Sequence, residues 1–266
     1  MKPISQNEAR QIMLDILDDV SSFCDNHGLK YYLAFGTLIG AIRHQGFIPW
    51  DDDIDIEMPR PDLERFIRLY EKTGKYAICS HKDPNSFLFH TKIYHSGTVK
   101  IEEGVDYNKY TPLGVDIDIF PIDGQPDRSH EKRFRHEIDS IIFLHKLNAL
   151  HYSSTANTLK AKFAKLLMRP LKKKFFVDVY TKLVRRYDFD SSEYVGYMSP
   201  FECERYKVRH NKKVYDNRKK MMFEGKEYWG PDAYDEYLTS IYGDYMQLPP
   251  IEKQKSHHKS NIFWKE

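Results

Sequence analysis

The chain has few cysteines and no long apolar segment, and both features exclude whole classes of protein. Its three cysteines, Cys24, Cys79 and Cys203, are far apart in a chain of 266 residues. This number and spacing fit neither a disulfide framework nor a set of zinc ligands. No run of eighteen apolar residues occurs, and the first residues lack the apolar region of a secretory signal. We therefore expect a cytoplasmic protein without a membrane span.

Internal repeats and low-complexity tracts are absent too, and the composition is that of a globular protein with 41% apolar and 30% charged residues.

The net charge is only +2, but the charged residues are distributed unevenly along the chain. Residues 160–186 carry ten Lys or Arg against one acid, interspersed with apolar residues. This pattern is typical of a helix that lies on an anionic surface, with an ordinary packed helix as the alternative. The segment 158–186 thus predicts a peripheral membrane contact.

Helical and strand patterns alternate through the first half of the chain. Ser5 and Glu8 form a capping-box pattern that opens an amphipathic helix, and Gly28 is the expected stop. A strand over 30–35 then runs into Gly36 and Thr37, and Thr37 is the predicted N-cap of a short helix. A second strand is predicted over 53–58, and a third begins near Val115.

Acidic residues cluster at the second and third strands. Along an extended strand, Asp51, Asp53 and Asp55 would lie on one side, roughly 6.6 Å from one to the next. Carboxylates that close repel one another unless a cation lies between them, so the cluster predicts a metal site. Asp116 and Asp118 repeat the alternation on the third strand. Oxygen ligands of this kind favour Mg²⁺ or Mn²⁺.

The pattern as a whole predicts an α/β (α+β) fold, a mixed sheet flanked by helices with a helical insertion. We divide the chain into a catalytic core over 1–128, a basic helical insertion over 129–190, and a segment over 191–266 that completes the core and the donor or acceptor site. Further helices are predicted over 61–73, 129–151, 158–186 and 232–242, with an irregular tail from Gly243.

Several long segments resemble one family. FGTLIGAIRHQGFIPWDDDIDIEMPRPDLERF (35–66), FHTKIY (89–94), DIDIFPID (116–123) and the stretch 223–258 are similar to the LicD family of phosphotransferases, whose core is related to the fukutin-related transferases. The resemblance implies a nucleotidyltransferase-like fold. It also implies divalent-metal-dependent transfer of phosphocholine from CDP-choline to a hydroxyl of a cell-surface glycan precursor, of teichoic acid or lipopolysaccharide type, with release of CMP.

The resemblance also implies roles for the acidic residues. By position, Asp53 and Asp55 would be the paired metal ligands, and Asp118 would complete the site or act as general base. Asp116 shares the face of Asp118 and is the second choice. These carboxylates would hold Mg²⁺ or Mn²⁺ against the donor phosphates.

Other side chains are candidates for binding the donor. Gly36 would let a phosphate approach closely, and the Thr37 hydroxyl and amide would bind it. Lys92 could contact the phosphate, or it could be an edge lysine whose ammonium group reaches solvent. Arg43 could contact the donor phosphate, or it could cap the C-terminus of the short helix. Two aromatic residues could contact choline by cation–π interaction, although aromatic residues are more often part of a core: Trp50 and Trp229.

Three alternatives remain open from the sequence. The enzyme could carry another CDP-activated alcohol phosphate (ribitol, glycerol or ethanolamine), or it could transfer a nucleotide to a small acceptor. A third alternative is a catalytically inactive module that binds glycan or nucleic acid, but the retained pair Asp53 and Asp55 opposes it. We expect a CDP-alcohol and a glycan acceptor as partners, and the acceptor could be lipid-linked. We expect no nucleic acid, because no base-stacking platform accompanies the basic clusters.

Overall fold

The structure is a computed structural model that describes most of the chain. The described residues are 1–70, 74–84, 86, 88–102, 113–150, 158–159, 162–163, 166, 170–198, 208–255 and 260–265. Cys203 and much of the basic segment 158–169 lie outside them.

Helices occupy both halves of the described chain. The α-helices are α1 (Gln6–His27), α2 (Phe35–His44), α3 (Arg60–Leu69), α4 (Arg128–Ala149), α5 (Lys173–Val184) and α6 (Tyr234–Tyr242). Short 3-10 turns cover Lys212–Tyr215 and Ile251–Lys253. No described helix combines the length and the apolar character needed to cross a lipid bilayer.

The strands in the described part of the chain form three sheets. Those of the first half are β1 (Lys2–Pro3), β2 (Tyr32–Leu33), β3 (Asp55–Pro59), β4 (Tyr76–Cys79), β5 (Thr91–His95), β6 (Thr98–Glu102) and β7 (Asp116–Gln125). Those of the second half are β8 (Tyr194–Gly196), β9 (His210–Asn211), β10 (Arg218–Phe223), β11 (Lys226–Pro231) and β12 (Ser260–Trp264).

The central sheet is mixed, as the sequence predicted. Its strand order is β2-β3-β7-β5-β4, and β8 and β9 extend it beside the far end of β7. β3 and β7 are parallel, whereas the other pairs in this sheet are antiparallel. α1 packs against β5 and β7, and α3 packs against β3 and β7. The predicted α/β class with helices flanking a mixed sheet is therefore confirmed.

The opening helix has the ends that its sequence predicted. The Ser5 hydroxyl accepts a hydrogen bond from the Glu8 amide at 3.3 Å, and Gly28 ends the helix with a φ of 62°. A left-handed φ costs glycine little, which explains the stop at this position. Ile16, Leu17 and Val20 are fully buried and fix the helix to the core.

The second helix begins earlier than predicted, and Thr37 is not its N-cap. The helix starts at Phe35, whose φ is 45°, and Ala34 is the flanking residue. The Thr37 hydroxyl instead accepts a hydrogen bond from the Asp55 amide at 2.8 Å. Thr37 is thus occupied by a tertiary contact that ties α2 to the first residue of β3.

The strand predicted over 53–58 begins only at Asp55, so the expected alternation of Asp51, Asp53 and Asp55 along one strand is wrong. Residues 51–54 are an irregular approach to the strand. Ile56 and Met58 do face the core, with no exposed surface. Only Asp55 of these three acids is oriented by the pleat of the sheet.

The end of the chain is more ordered than predicted. Part of the expected irregular tail is β12, which pairs with β6 on one side and with β1 on the other. The Trp264 indole donates a hydrogen bond to the Glu8 carboxylate at 2.9 Å. This strand was not recognised because its partners are distant in the sequence. We name these three strands the terminal sheet.

A buried ion pair joins the start of α3 to the far end of β7. Arg60 donates from Nε and Nη2 to the two carboxylate oxygens of Asp123, at 2.6 and 2.7 Å. Both side chains are almost fully buried. Removal of Asp123 would leave the buried Arg60 charge with only the more distant Glu64 carboxylate, at 3.6 Å, to compensate it.

We expect Asp123→Ala to lower the free energy of unfolding by about 3–5 kcal/mol, because Arg60 would lose its bidentate partner. Urea denaturation followed by circular dichroism measures this change. The matched control is Glu137→Gln, which removes an ion pair with Arg186 on the exposed surface and should leave the midpoint close to that of the wild type. Equal losses in the two variants would contradict this interpretation.

His210 should make stability fall in acid. Its ring stacks on Tyr237 with centroids 4.8 Å apart, and burial lowers the pKa of His210 to about 4. Since the unfolded chain binds this proton with an ordinary pKa near 6.5, the stabilisation is full above pH 6.5 and is lost as the pH falls toward 4.

We therefore expect the wild type to lose up to roughly 3 kcal/mol more unfolding free energy than His210→Gln between pH 7 and pH 4. Urea denaturation at several pH values tests this. The variant His136→Gln, at an exposed histidine of α4, should keep the pH dependence of the wild type. Identical pH profiles for His210→Gln and the wild type would overturn the prediction.

Candidate active site

Three neighbouring strands of the central sheet bring acidic and basic side chains into one row. Asp55 of β3 pairs with Asp118 of β7, and Asp118 pairs with Lys92 of β5. Directly paired residues project from the same face of a sheet. The parallel register of β3 and β7 therefore places two carboxylates side by side, next to one ammonium group.

Asp118 is held by two nitrogen groups. Lys92 Nζ lies 2.6 Å and His90 Nε2 lies 3.3 Å from Asp118 Oδ1. Burial by itself would raise the pKa of Asp118, but Lys92 and His90 hold it well below its usual range. Asp118 is therefore a carboxylate at neutral pH, in a fixed orientation.

Asp116 shares Lys92 with Asp118 and also contacts Lys100. Its Oδ1 lies 3.2 Å from Lys92 Nζ and 3.6 Å from Lys100 Nζ. Burial would lower the pKa of Lys92, yet the two carboxylates raise it above its usual value. Lys92 thus stays charged and compensates part of the acidic row.

The negative charge of the remaining carboxylates is larger than the positive charge of the lysines beside them. Burial, followed by Asp53, Asp118 and Asp51, raises the pKa of Asp55 well above its usual range. Burial and Asp53 likewise raise the pKa of Asp51 to about 8. Asp51, Asp52 and Asp53 each offer a carboxylate oxygen within 4.8 Å of the others. A divalent cation would relieve this repulsion, and the all-oxygen donor set is the kind that Mg²⁺ or Mn²⁺ prefers.

Gly36 and Thr37 lie directly against these acids. A Cβ at Gly36 would come within 2.7 Å of Asp51 Oδ2, so glycine permits the close approach of that carboxylate. Thr37 is buried and contacts the Asp55 amide through its hydroxyl. The turn from β2 into α2 therefore forms one wall of the acidic row.

Three other candidates have different surroundings. Arg43 donates through Nη1 to the Tyr245 carbonyl at 2.8 Å. The Trp229 indole donates to Asp25, and its ring lies 4.6 Å from the Arg218 guanidinium and 4.2 Å from Lys220 Nζ. Trp50 is partly buried against the main core.

The predicted residues thus divide into two groups. One group lies together at the starts of β3 and β7, and it comprises Gly36, Thr37, Asp53, Asp55, Lys92, Asp116 and Asp118. The second group is Arg43, Trp50 and Trp229. The contacts described for Arg43 and Trp229 are with residues outside the acidic row, and the predicted roles of all three residues toward the donor stay predictions.

Sequence reasoning missed His90 and Lys100. His90 precedes Lys92 by two residues, so both side chains belong to one face of an extended segment, which is a signal that the sequence does contain. Lys100 reaches Asp116 from β6, outside the central sheet. No local pattern could have indicated that contact.

Comparisons with known proteins identify a family and relatives for this chain. A family model described as LicD/FKTN/FKRP, nucleotidyltransferase domain, matches residues 28–182, a range that contains the whole acidic row. Over 266 residues the chain is 30% identical to the lipopolysaccharide cholinephosphotransferase LicD of Haemophilus influenzae, and the match covers 97% of each protein.

Shorter matches involve two uncharacterized rickettsial proteins. The protein of Rickettsia prowazekii is 31% identical over 96 residues, which are 29% of this chain and 36% of that protein. The protein of Rickettsia typhi is 31% identical over 97 residues, which are 33% of this chain and 31% of that protein.

Proposed function

The chain belongs to the LicD/FKTN/FKRP family, as its sequence resemblance predicted, and from this membership we propose that it transfers phosphocholine from CDP-choline to a glycan hydroxyl, releasing CMP. The acceptor in this proposal is a cell-surface glycan precursor of lipopolysaccharide or teichoic acid type. The observation that carries the proposal is the similarity to a lipopolysaccharide cholinephosphotransferase along 97% of both proteins.

The cofactor in this proposal is Mg²⁺ or Mn²⁺, and the residues present fit such an ion. Asp53, Asp55 and Asp118 would hold it, with Asp116 as a further ligand. The fit rests on the buried, mutually repelling carboxylates, because their charge exceeds that of the lysines beside them. When bound, the ion would neutralise charge on the donor phosphates during transfer.

The transfer itself makes few covalent demands on the protein. The acceptor oxygen forms a bond to the phosphorus of the phosphocholine group, and the bond from that phosphorus to CMP breaks, with its electron pair leaving on CMP. A loose phosphoryl transition state needs little help from a base, and the hydroxyl proton ends on the CMP phosphate or in water. Positioning and charge compensation are then the main contributions of the chain.

Individual side chains fit separate roles. Asp118 fits a metal ligand better than a general base, since Lys92 and His90 depress its pKa and so weaken it as a proton acceptor. Lys92 fits a compensating cation, because both of its described partners are carboxylates. Gly36 and Thr37 contact Asp51 and Asp55 and so fit residues that bind a donor phosphate beside the acidic row, and Trp50, which precedes Asp51 in the sequence, fits a choline contact.

We expect CDP-choline to yield CMP in the presence of Mg²⁺ or Mn²⁺ and a glycan acceptor, and EDTA to stop the reaction. Asp53→Asn and Asp55→Asn should each reduce CMP release by about a hundredfold or more while the protein stays folded, because each removes a ligand and relieves repulsion. Asp232→Asn, at an exposed acid, is the matched control and should keep full activity.

A screen of CDP-choline, CDP-ethanolamine, CDP-glycerol and CDP-ribitol identifies the alcohol that is carried. Release of pyrophosphate from a nucleoside triphosphate, without CMP release from any CDP-alcohol, would favour nucleotidyl transfer. Near-normal turnover in both aspartate variants would contradict the site.

We also propose that residues 158–186 contact an anionic membrane surface where a lipid-linked acceptor would be located. Leu159, Phe163 and Leu166 are 66–85% exposed, and the sequence places ten Lys or Arg in 160–186. Within α5, Val177 and Tyr180 are buried in a cluster with α4, whereas the Phe175 side chain is 49% exposed. Exposed apolar side chains among cations are the signature of a helix bound at a lipid interface.

Flotation with liposomes tests this contact. We expect the protein to float with phosphatidylglycerol vesicles and much less with phosphatidylcholine vesicles, and the double variant Leu159→Ser, Phe163→Ser to bind several-fold more weakly. Ile251→Ser removes an equally exposed apolar side chain elsewhere and should bind like the wild type. Equal flotation with both vesicle types would end the proposal.

A further inference from the structure

A cavity of about 360 Å³ lies between the first turns of α1, the terminal sheet and the loop that carries the acids. Asp53 and Asp116 line it, so it borders the acidic row directly. Its size is that of a small-molecule site. The site residues identified so far account for the acids on one wall but not for the rest of this cavity.

The polar part of the lining mixes acceptors with donors. Asp52 and Asp53 supply carboxylates, while Arg10 and Lys100 supply cations. Both cations already have partners, since Arg10 donates to the Pro49 carbonyl at 3.1 Å and Lys100 pairs with Asp116. The side-chain amides of two further residues complete the polar part, namely Gln6 and Asn261.

The remaining lining is apolar. Met13 of α1 and Ile262 and Phe263 of β12 contribute to it. Ile262 pairs with Lys100 across β12 and β6, so the two side chains share the face of the terminal sheet that carries Lys100 toward Asp116. A ligand of the cavity must therefore match both hydrogen-bonding groups and apolar surface.

This mixed lining discriminates between ligand classes. A phosphate would meet three carboxylates. A quaternary ammonium would be attracted to those carboxylates, but it would also meet two cations and has no N–H or O–H group to donate to the amides. A neutral sugar fits both halves, because each hydroxyl can donate and accept a hydrogen bond and the ring carbons present apolar faces. The lining thus favours an uncharged polyhydroxyl compound.

We propose that this cavity binds a neutral sugar ring of the glycan acceptor. The proposal rests on the proposed transfer to a glycan, and it adds where the acceptor binds and which residues contact it. Because the cavity shares Asp53 with the acidic row, a sugar held there has a hydroxyl next to the carboxylates that hold the donor. Such positioning is the main catalytic contribution available in phosphoryl transfer.

Saturation-transfer difference NMR on the full chain without donor or metal tests the assignment independently of turnover. The probes are methyl glucoside, methyl galactoside and methyl N-acetylglucosaminide. We expect at least one to give a signal with the wild type, and Ile262→Trp to weaken that signal at least tenfold by filling the cavity. Ile251→Trp makes the same change at an exposed position and should bind the sugar like the wild type.

A second ligand separates this proposal from the proposed function. CDP-choline, titrated with Mg²⁺, should bind the wild type and Ile262→Trp equally. If no sugar gives a signal, or if Ile262→Trp gives the wild-type signal, the acceptor assignment is wrong even where CDP-choline still binds. If Ile262→Trp instead loses binding of CDP-choline, choline chloride or inorganic phosphate, the cavity belongs to the donor. Should this variant not fold, Gln6→Trp at the exposed start of α1 replaces it.

Discussion

Asp118 lies between the Lys92 ammonium and the His90 imidazole, and the character of the whole site follows from this contact. The two groups keep Asp118 ionised. Its charge, together with burial and the Asp53 carboxylate, raises the pKa of Asp55. The site therefore contains one carboxylate, Asp118, that is stabilised in its ionised form. Its neighbours Asp51 and Asp55 have raised pKa values, and a further cation would be needed to stabilise their ionised forms. This charge imbalance at the starts of two parallel strands is the basis of the proposal that a divalent cation binds there.

The surrounding structure holds these acids in place from several directions. The Thr37 hydroxyl bonds to the Asp55 amide, and the glycine at position 36 lets the Asp51 carboxylate come close. On the opposite side, Lys100 extends from the terminal sheet to Asp116. The two ends of the chain supply the other strands of that sheet, β1 and β12, and residues from both ends line the cavity in which we place the acceptor.

The local sequence predicted correctly those features that depend on residues close in the chain. The Ser5 cap, the stop at Gly28 and the buried faces of β3 and β7 follow from hydrogen bonds and side-chain periodicity within a few residues, and each was predicted. Length and specificity of the matching segments likewise identified the family. Predictions failed where a contact with a residue distant in the sequence determines the local structure. Thr37 does not cap α2 but accepts a hydrogen bond from the Asp55 amide, and β12 forms by pairing with β6.

The sequence by itself determined the mixed α/β class, the family and the set of acids that could form a site, because composition, periodicity and long motifs are properties of the chain alone. Only the tertiary structure decided which of those acids meet. The register of β3 against β7 pairs Asp55 with Asp118, the antiparallel β5 adds Lys92, and the terminal sheet adds Lys100. Strand register and order depend on contacts between residues far apart in the chain, and no local pattern encodes them.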